Sequence, residues 1–267
     1  MALETTQRSP SFLSTLLVTT GLSSLYYPVI RMQSLVQTQL AYTHINPELQ
    51  LQGLAKNGCL AMKDSMKSLF RGVSFFASYQ TLKTSVFWAY SKTFTSGNLF
   101  ESNMTNYFHS AVATLLASGV AYPFELMQNR SASALNSANP NQVLNFKEML
   151  GTYTHASNWT GYPLLYARYL ILNTSLYLHF AGYNGFPLLM GLITIPMDVI
   201  RRNCIVKQWE LGALPYKNGI ESAKWFVQTH GYKSLYRGFI LYPEIYLVYF
   251  VIGSNAPKGS RQHKEQH

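Results

Sequence analysis

The feature that most constrains this chain is a short motif that occurs three times, each time after an apolar run. Its most complete copy is Pro196-Met-Asp198-Val-Ile-Arg201, where the acid and the base are three positions apart. Residues with this spacing lie on one face of a helix, so both charges point toward one neighbour. The copies at Pro123 and Pro28 are less complete. A unit repeated three times predicts a fold built from three similar modules.

The second and first copies have lost part of this charge pattern. The second, Pro123-Phe-Glu125-Leu-Met-Gln128, keeps the acid and carries an amide instead of the base. The first, Pro28-Val-Ile30-Arg-Met-Gln33, has an apolar residue and an amide at these two positions. A proline inside a helix removes a backbone hydrogen bond, so we expect a kink at all three prolines.

A second motif, an aromatic-basic-glycine turn before an apolar run, follows each proline at a similar distance. It reads Phe70-Arg71-Gly72, Trp159-Thr-Gly161 and Tyr236-Arg237-Gly238. The spacing from proline to glycine is 44, 38 and 42 residues (28 to 72, 123 to 161, 196 to 238). One such turn is only a weak signal for the start of a helix. Three turns at a similar distance from three prolines indicate a repeated module.

Composition indicates that these modules lie in lipid. Only 12% of the residues are charged and 48% are hydrophobic, whereas about 25% are charged in a soluble domain. Polar residues near one end of each proline helix predict a polar interior. We therefore expect one domain over 1–267, with repeats at about 11–98, 104–182 and 183–255 and a polar tail at 256–267. The predicted long helices cover 11–38, 73–90, 104–131, 162–180, 183–208 and 239–252.

The positive charge restricts the partners. Lys and Arg number 21 against 11 Asp and Glu, a formal charge of +10. The basic residues are scattered and lack an RNA-type aromatic motif, which disfavours nucleic acid. Anionic lipid headgroups or an anionic solute fit an apolar chain better. The N-terminus has no cleavage site of the secretory type, so no signal peptide is expected.

With both motifs present three times, the chain resembles the mitochondrial carrier family. The resemblance covers nearly the whole chain and is most specific between Pro196 and Gly238. It implies an all-α membrane protein with six transmembrane helices in a pseudo-threefold bundle of three two-helix repeats, with short matrix-side helices. It also implies the inner mitochondrial membrane without a cleaved presequence. Members of the family exchange anionic metabolites, nucleotides or cofactors.

The resemblance implies a matrix-side gate in which the acid of each repeat pairs with the base of the next. Glu125 with Arg201 keeps that pair. Asp198 would face Gln33, a hydrogen bond at best. The remaining pair has become Ile30 with Gln128, which has no charge.

The cytosol-side gate of the family lies about 20 residues after each glycine of the turn. Its acid and base positions in this chain are Lys92 with Thr95, Ala181 with Asn184, and Lys258 with Arg261. None of them is an acid. Without ion pairs that close the gate on each side, we expect the protein to alternate inefficiently between its two transport states.

In the family the substrate contacts lie about seven residues after each glycine. Carried over, they are Tyr79, Arg168 with Tyr169 beside it, and Ile245. An arginine at mid-membrane is costly and by default marks a functional site. The alternative is that Arg168 pairs internally with Glu125 or Asp198, or holds a water. Glu244 is a further intramembrane acid.

The resemblance further implies bound cardiolipin at the glycine turns. Free amides at a helix start suit phosphate. The residues concerned are Arg71, Gly72, Gly161, Arg237 and Gly238. Alternatively, the two arginines extend to the membrane interface.

We expect no enzyme and no cofactor other than lipid, because the sequence has no catalytic triad, phosphate-binding glycine loop or metal-ligand spacing. Two functions stay open. One is a structural or accessory subunit of a large inner-membrane assembly such as a respiratory-chain complex. The other is an active carrier of a small anionic metabolite, which Arg168 and the tyrosines would bind.

Overall fold

The chain is helical wherever its structure is described. A computed structural model describes residues 11–45, 69–94, 104–133, 159–180, 186–210 and 218–239, and the single residues 151, 154, 216 and 242. These residues form helices and turns without a β-strand, in agreement with the all-α prediction. The helices are α1 Phe12–Leu25, α2 Tyr27–Ile45, α3 Val73–Phe94, α4 Met104–Ser133, α5 Tyr162–Phe180, α6 Phe186–Glu210 and α7 Gly219–His230, followed by a 3-10 turn at Tyr232–Tyr236.

The predicted helices agree with the observed ones in type and roughly in length. Those predicted at 73–90, 104–131 and 162–180 are α3, α4 and α5, and the fifth is α6. One predicted short helix is present in the third repeat, where α7 begins after the N-cap Asn218, whose side chain accepts from Glu221 N. The predicted sixth helix, apart from residues 239 and 242, lies outside the described residues. So does the polar tail at 256–267.

The first predicted helix, 11–38, is divided into two. The helices α1 and α2 meet at Tyr26 and are bent by 55°. Pro28 lies in the first turn of α2, where its missing N–H breaks no helical bond. The predicted kink at Pro28 is therefore a break two residues earlier. Pro123 and Pro196 differ, because they lie inside the continuous helices α4 and α6.

From α3 to α6, helices that follow one another along the chain pack side by side, and α1 packs on α3. The pairs along the chain are α3 with α4, α4 with α5 and α5 with α6. The three proline helices α2, α4 and α6 also contact one another. Small side chains line the close approach of α1 to α3, where the Thr20 and Thr81 hydroxyl oxygens are 3.4 Å apart.

Fewer membrane spans are evident than the six predicted. Among the described residues, Met104–Ala132 alone is long and apolar enough to cross a membrane, and α1 with α2 would make a second span if the bent pair is counted as one. Helices α3, α5 and α6 carry polar and charged side chains such as Lys83, Arg168 and Asp198, which lower their mean hydropathy. The six-span, pseudo-threefold arrangement therefore stays a prediction.

Candidate functional site

Asp198 is the centre of a buried polar network. It lies in the middle of α6, and its side chain is fully buried. Two arginines of the same helix bind it: Arg201 donates to Oδ1 at 2.6 Å and Arg202 to Oδ2 at 3.0 Å. Spacings of three and four residues bring both guanidinium groups to the face that carries the acid. The helix thus fixes the core of the site within about one turn.

Other parts of the fold complete the network. From α5, Arg168 reaches Asp198 Oδ1 at 3.3 Å. The Tyr242 hydroxyl donates to Oδ2 at 2.5 Å. Arg201 also binds Glu125 of α4, and Arg202 donates to the Ser34 hydroxyl of α2. One carboxylate therefore accepts four side chains, and its arginines extend the network to α4 and α2.

A second set of contacts beside this network joins α2 to α6, one directly and one through Tyr242, which binds Asp198. Gln37 of α2 donates through Nε2 to the Tyr242 hydroxyl at 2.6 Å. Asn203 of α6 donates to the Gln37 carbonyl oxygen at 3.0 Å. These contacts are hydrogen bonds of neutral groups. Neutral hydrogen bonds therefore contribute to the seam between the first and third proline helices.

Of the predicted gate pairs, Glu125–Arg201 is present in the structure and Asp198–Gln33 is not. Glu125 and Arg201 are in contact, as predicted. Asp198 does not bind Gln33, since its acceptor positions are filled by arginines and Tyr242. Within the described residues, neither polar atom of the buried Gln33 amide has a hydrogen-bond partner.

The third gate position, Ile30 with Gln128, carries no charge, and its residues are packed against neighbouring side chains. Ile30 packs in an apolar cluster with Tyr27 and Phe76. Gln128 is buried, and its backbone carbonyl lies next to Gly72. The space around Ile30 and Gln128 is therefore filled by packed side chains.

Arg168 pairs internally. Of the two internal partners expected for this arginine, Glu125 and Asp198, the structure shows an ion pair with Asp198. Its guanidinium carbon also lies 5.7 Å from the centre of the Tyr242 ring, within the range of a cation–π interaction. The charge of Arg168 is thus already compensated by a buried carboxylate.

The predicted contact residues Tyr79 and Tyr169 do meet. Their hydroxyl oxygens are 2.5 Å apart, which joins α3 to α5. The ammonium of Lys83 lies 3.9 Å from the centre of the Tyr169 ring and 5.6 Å from that of Tyr79. The remaining predicted contact, Ile245, lies outside the described residues, as do the neighbouring Glu244 and the cytosol-side positions 95, 181, 184, 258 and 261.

The glycines of the three turns each lie close to the proline helix of another predicted repeat. At Gly72 and Gly161 the atom nearest to an added Cβ is a tyrosine hydroxyl of the same repeat, at 2.6 Å (Tyr27) and 3.0 Å (Tyr122). A Cβ on Gly72 would lie 2.9 Å from Ser131 Cβ of α4, and one on Gly161 would lie 3.3 Å from Arg201 Cγ of α6. On Gly238 it would lie 3.6 Å from Val36 Cγ1 of α2. The contacts follow a cyclic order, from the first repeat to the second, the second to the third, and the third to the first.

These contacts give the glycines a role in helix packing. Gly72 and Gly238 also have positive φ angles of 89° and 75°, which favour glycine. The carbonyls of Gly72 and Gly161 accept the first backbone bonds of α3 and α5, from Phe76 N and Leu165 N. Arg237 is partly buried, and burial lowers the pKa of its guanidinium from the ordinary value.

Several residues of the network were not predicted from the sequence. Arg202 had a signal, because it lies four residues after Asp198 and so faces it on a helix. Ser34 and Gln37 lie beyond the gate motif of α2, and Tyr242 lies between the turn glycine and the expected contact position. No sequence pattern singles out those three. Lys83 has the spacing of one helical turn from Tyr79 but was also missed.

The site offers arginines, carboxylates, amides and phenols. Among the residues that the structure describes, no group of three or more His, Cys, Asp or Glu could hold a metal ion. Comparison with known protein families and with curated proteins finds no match for this chain.

Proposed function

We propose that this chain is a divergent member of the mitochondrial carrier family that serves as a structural or accessory subunit of a large inner-membrane assembly, such as a respiratory-chain complex. The family assignment is supported by the two motifs, each present three times. The cyclic contacts of the turn glycines with the next proline helix support a pseudo-threefold bundle. The order in which the helices pack supports it as well.

The observation that carries the structural role is the network around Asp198. Its carboxylate accepts Arg168, the base otherwise suited to an anionic solute. The α2–α6 seam is closed by neutral hydrogen bonds and by Arg202 to Ser34. A carrier must exchange contacts at its two ends within a few kcal/mol to alternate between states. A site whose charges are compensated internally favours one state and slow or absent transport.

The exposed apolar surface supports a membrane location and leaves room for protein partners. On α1, Leu13, Leu17, Leu22 and Leu25 are each more than 60% exposed. Large exposed apolar faces mark lipid or protein interfaces. Cardiolipin is part of the proposal, bound near the glycine turns with Arg71 and Arg237, whose charge suits its phosphates.

The structural role is tested by native electrophoresis of mitochondria extracted with a mild detergent. We expect the chain to migrate with a large complex and to co-purify with its subunits. Reconstituted alone in liposomes, it should exchange no solute from a broad metabolite panel above the rate of empty vesicles. Migration only as a monomer, combined with saturable exchange, would refute this role and favour the active carrier.

The active anion carrier stays as a second candidate because of one observation. Lys83 has no carboxylate against it among the described residues, whereas Arg168 has one. A solute anion would then depend on Lys83. In that case, exchange in liposomes should fall when Lys83 is changed to Met.

A further inference from the structure

The short helix α7 has an exposed face that carries apolar side chains. The helix packs on α6 and on the 3-10 turn that follows it, with Ser222 and Phe226 buried. On the opposite side Ile220, Lys224 and Val227 are exposed, and Ile220 is 72% exposed. Spacings of four and three residues place these three side chains in one stripe. α7 therefore exposes apolar groups on the face that a surface helix ordinarily keeps polar.

The 3-10 turn after α7 extends this surface with two tyrosines. Tyr232 is 66% exposed and Tyr236 is 42% exposed, and Lys233 is exposed between them. The turn follows Gly231, whose N–H donates to the Val227 carbonyl oxygen, so it starts at the end of the α7 stripe. We call the following exposed residues the α7 surface: Ile220, Lys224, Val227, Tyr232, Lys233 and Tyr236.

The α7 surface lies at the end of the bundle that holds the Asp198 network. At the start of α7, a Cβ on Gly219 would lie 2.9 Å from Leu164 Cδ1 and 3.7 Å from Ile200 Cγ2. Leu164 is in the first turn of α5, and Ile200 lies beside the Asp198 network on α6. α7 has 12 residues, too few to cross a membrane. In the proposed topology, a protein outside the hydrocarbon layer can therefore reach this surface.

Two lysines give the α7 surface a positive charge. Among the described residues, no carboxylate lies within ion-pair distance of Lys224 or Lys233. Glu221 is the one acid of α7, and its carboxylate accepts from the Asn218 side chain. A surface that combines cations with apolar and aromatic side chains complements a partner that presents acids beside apolar groups.

An acidic protein fits this surface better than anionic lipid does. A helix that lies on a membrane has a contiguous apolar face with its cations on the polar side. Here Lys224 lies between Ile220 and Val227 along the helix. Glu221 is exposed on the same helix, where anionic headgroups would repel it and a protein can place a donor opposite it. Exposed tyrosines are also typical of protein interfaces.

We infer that the α7 surface is the docking site for an acidic segment of a partner protein. The inference rests on the proposed role as a subunit of a large assembly and names the part of the chain that contacts its neighbour. The apolar and tyrosine side chains are buried in this contact, as exposed apolar patches at interfaces are. The two lysines select an acidic partner and exclude a basic one.

Charge reversal tests the site in mitochondria whose only copy of this chain carries Lys224→Glu with Lys233→Glu. On native electrophoresis we expect at least a tenfold decrease in the fraction of the chain that migrates with the large complex. Lys224→Arg with Lys233→Arg should migrate as the unchanged chain does. Lys92→Glu is the control, because Lys92 is exposed in the last turn of α3, away from the α7 surface. It should also migrate with the complex.

Photo-cross-linking tests the same contact without a change of charge and decides the question if the double variant does not fold. With p-benzoylphenylalanine at position 232, we expect an adduct with one subunit of the complex. Mass spectrometry should locate the adduct in a segment that contains at least two Asp or Glu residues. The same label at position 94, where Phe94 is 60% exposed at the end of α3, should not reach that segment.

The two proposals fail in different ways. If the unchanged chain migrates with the complex and the double charge reversal does so equally, the docking site is refuted and the structural role stands. An adduct at position 232 with phospholipid alone, or with a segment that lacks acids, also refutes the docking site. If the unchanged chain migrates only as a monomer, the structural role fails and the docking site fails with it.

Discussion

At the scale of single residues, Asp198 determines the organisation of the site. Its four donors come from α5, from α6 and from Tyr242. The motif predicted that Asp198 and Arg201 share a helical face, and helix geometry alone explains why this prediction is reliable. It could not predict that Arg202 rather than Gln33 would link α6 to α2. Which of two adjacent arginines reaches a neighbouring helix depends on the packing between helices, which is not a local property.

Replacing Asp198 with Asn should destabilise the chain strongly. The change leaves the buried guanidinium groups of Arg168 and Arg202 without their carboxylate, and breaking a buried pair in this way costs about 3–5 kcal/mol. We expect the midpoint of thermal unfolding in detergent to fall by roughly 10 °C. Glu221→Gln is the control, because Glu221 is an exposed acid whose carboxylate contacts the Asn218 side chain. Equal midpoints for the two variants would contradict a central role of Asp198.

At the scale of elements, the sequence predicted helices better than their interruptions. The apolar runs, together with the glycine turns before α3 and α5, predict α3, α4 and α5 close to their observed bounds. The break at Tyr26 was expected as a kink at Pro28, because proline marks where a helical bond is missing but not whether the helix continues around it. Pro123 and Pro196 lie in continuous helices, so surrounding packing decides between the two outcomes.

The turn before α3 provides a test at this scale. Gly72 has a φ of 89°, and an added Cβ would lie 2.6 Å from the Tyr27 hydroxyl oxygen and 2.9 Å from Ser131 Cβ. Gly72→Ala should therefore lower the free energy of unfolding by about 2 kcal/mol or more. Gly21→Ala is the matched control, since Gly21 lies inside α1 with nothing within 4 Å of the added atom. Helix propensity predicts a gain of up to about 1 kcal/mol there.

Thermal and denaturant unfolding of both alanine variants measures this difference. The prediction fails if Gly72→Ala is as stable as the unchanged chain. It then follows that neither the positive φ nor the contact with Tyr27 is needed at this turn.

At the scale of the whole molecule, each of the three proline helices contacts the other two, and each turn glycine lies close to the proline helix of another predicted repeat. The repeat period was readable from the sequence, because prolines and glycines recur at similar spacing. The direction of the cycle was not readable, since it depends on which neighbour each turn packs against. The contact between Gly238 and α2 is the one that joins the last repeat to the first.

A disulfide between residues 36 and 238 tests this closure. A Cβ on Gly238 would lie 3.8 Å from Val36 Cβ, the usual separation in a disulfide. In a chain carrying Cys59→Ser and Cys204→Ala, we expect Val36→Cys with Gly238→Cys to cross-link on mild oxidation. Mass spectrometry of the unreduced digest should identify the linked peptides.

The control pair is Val36→Cys with Gly231→Cys. Gly231 also has a φ of 75°, so the backbone strain is the same, but no atom lies within 4 Å of a Cβ added there. This pair should stay reduced. Cross-linking no greater for residue 238 than for residue 231 would contradict the cyclic arrangement.

The shared carboxylate of Asp198 has a consequence for how the proline helices can separate. Because α5, α6 and Tyr242 all contact one acceptor, and its arginines reach α2 and α4, no helix can leave without disturbing the contacts of the others. Interactions that share a member in this way are lost together rather than one by one. Separation of the helices around Asp198 is therefore expected to be cooperative and all-or-none, with no partly open intermediate of appreciable population.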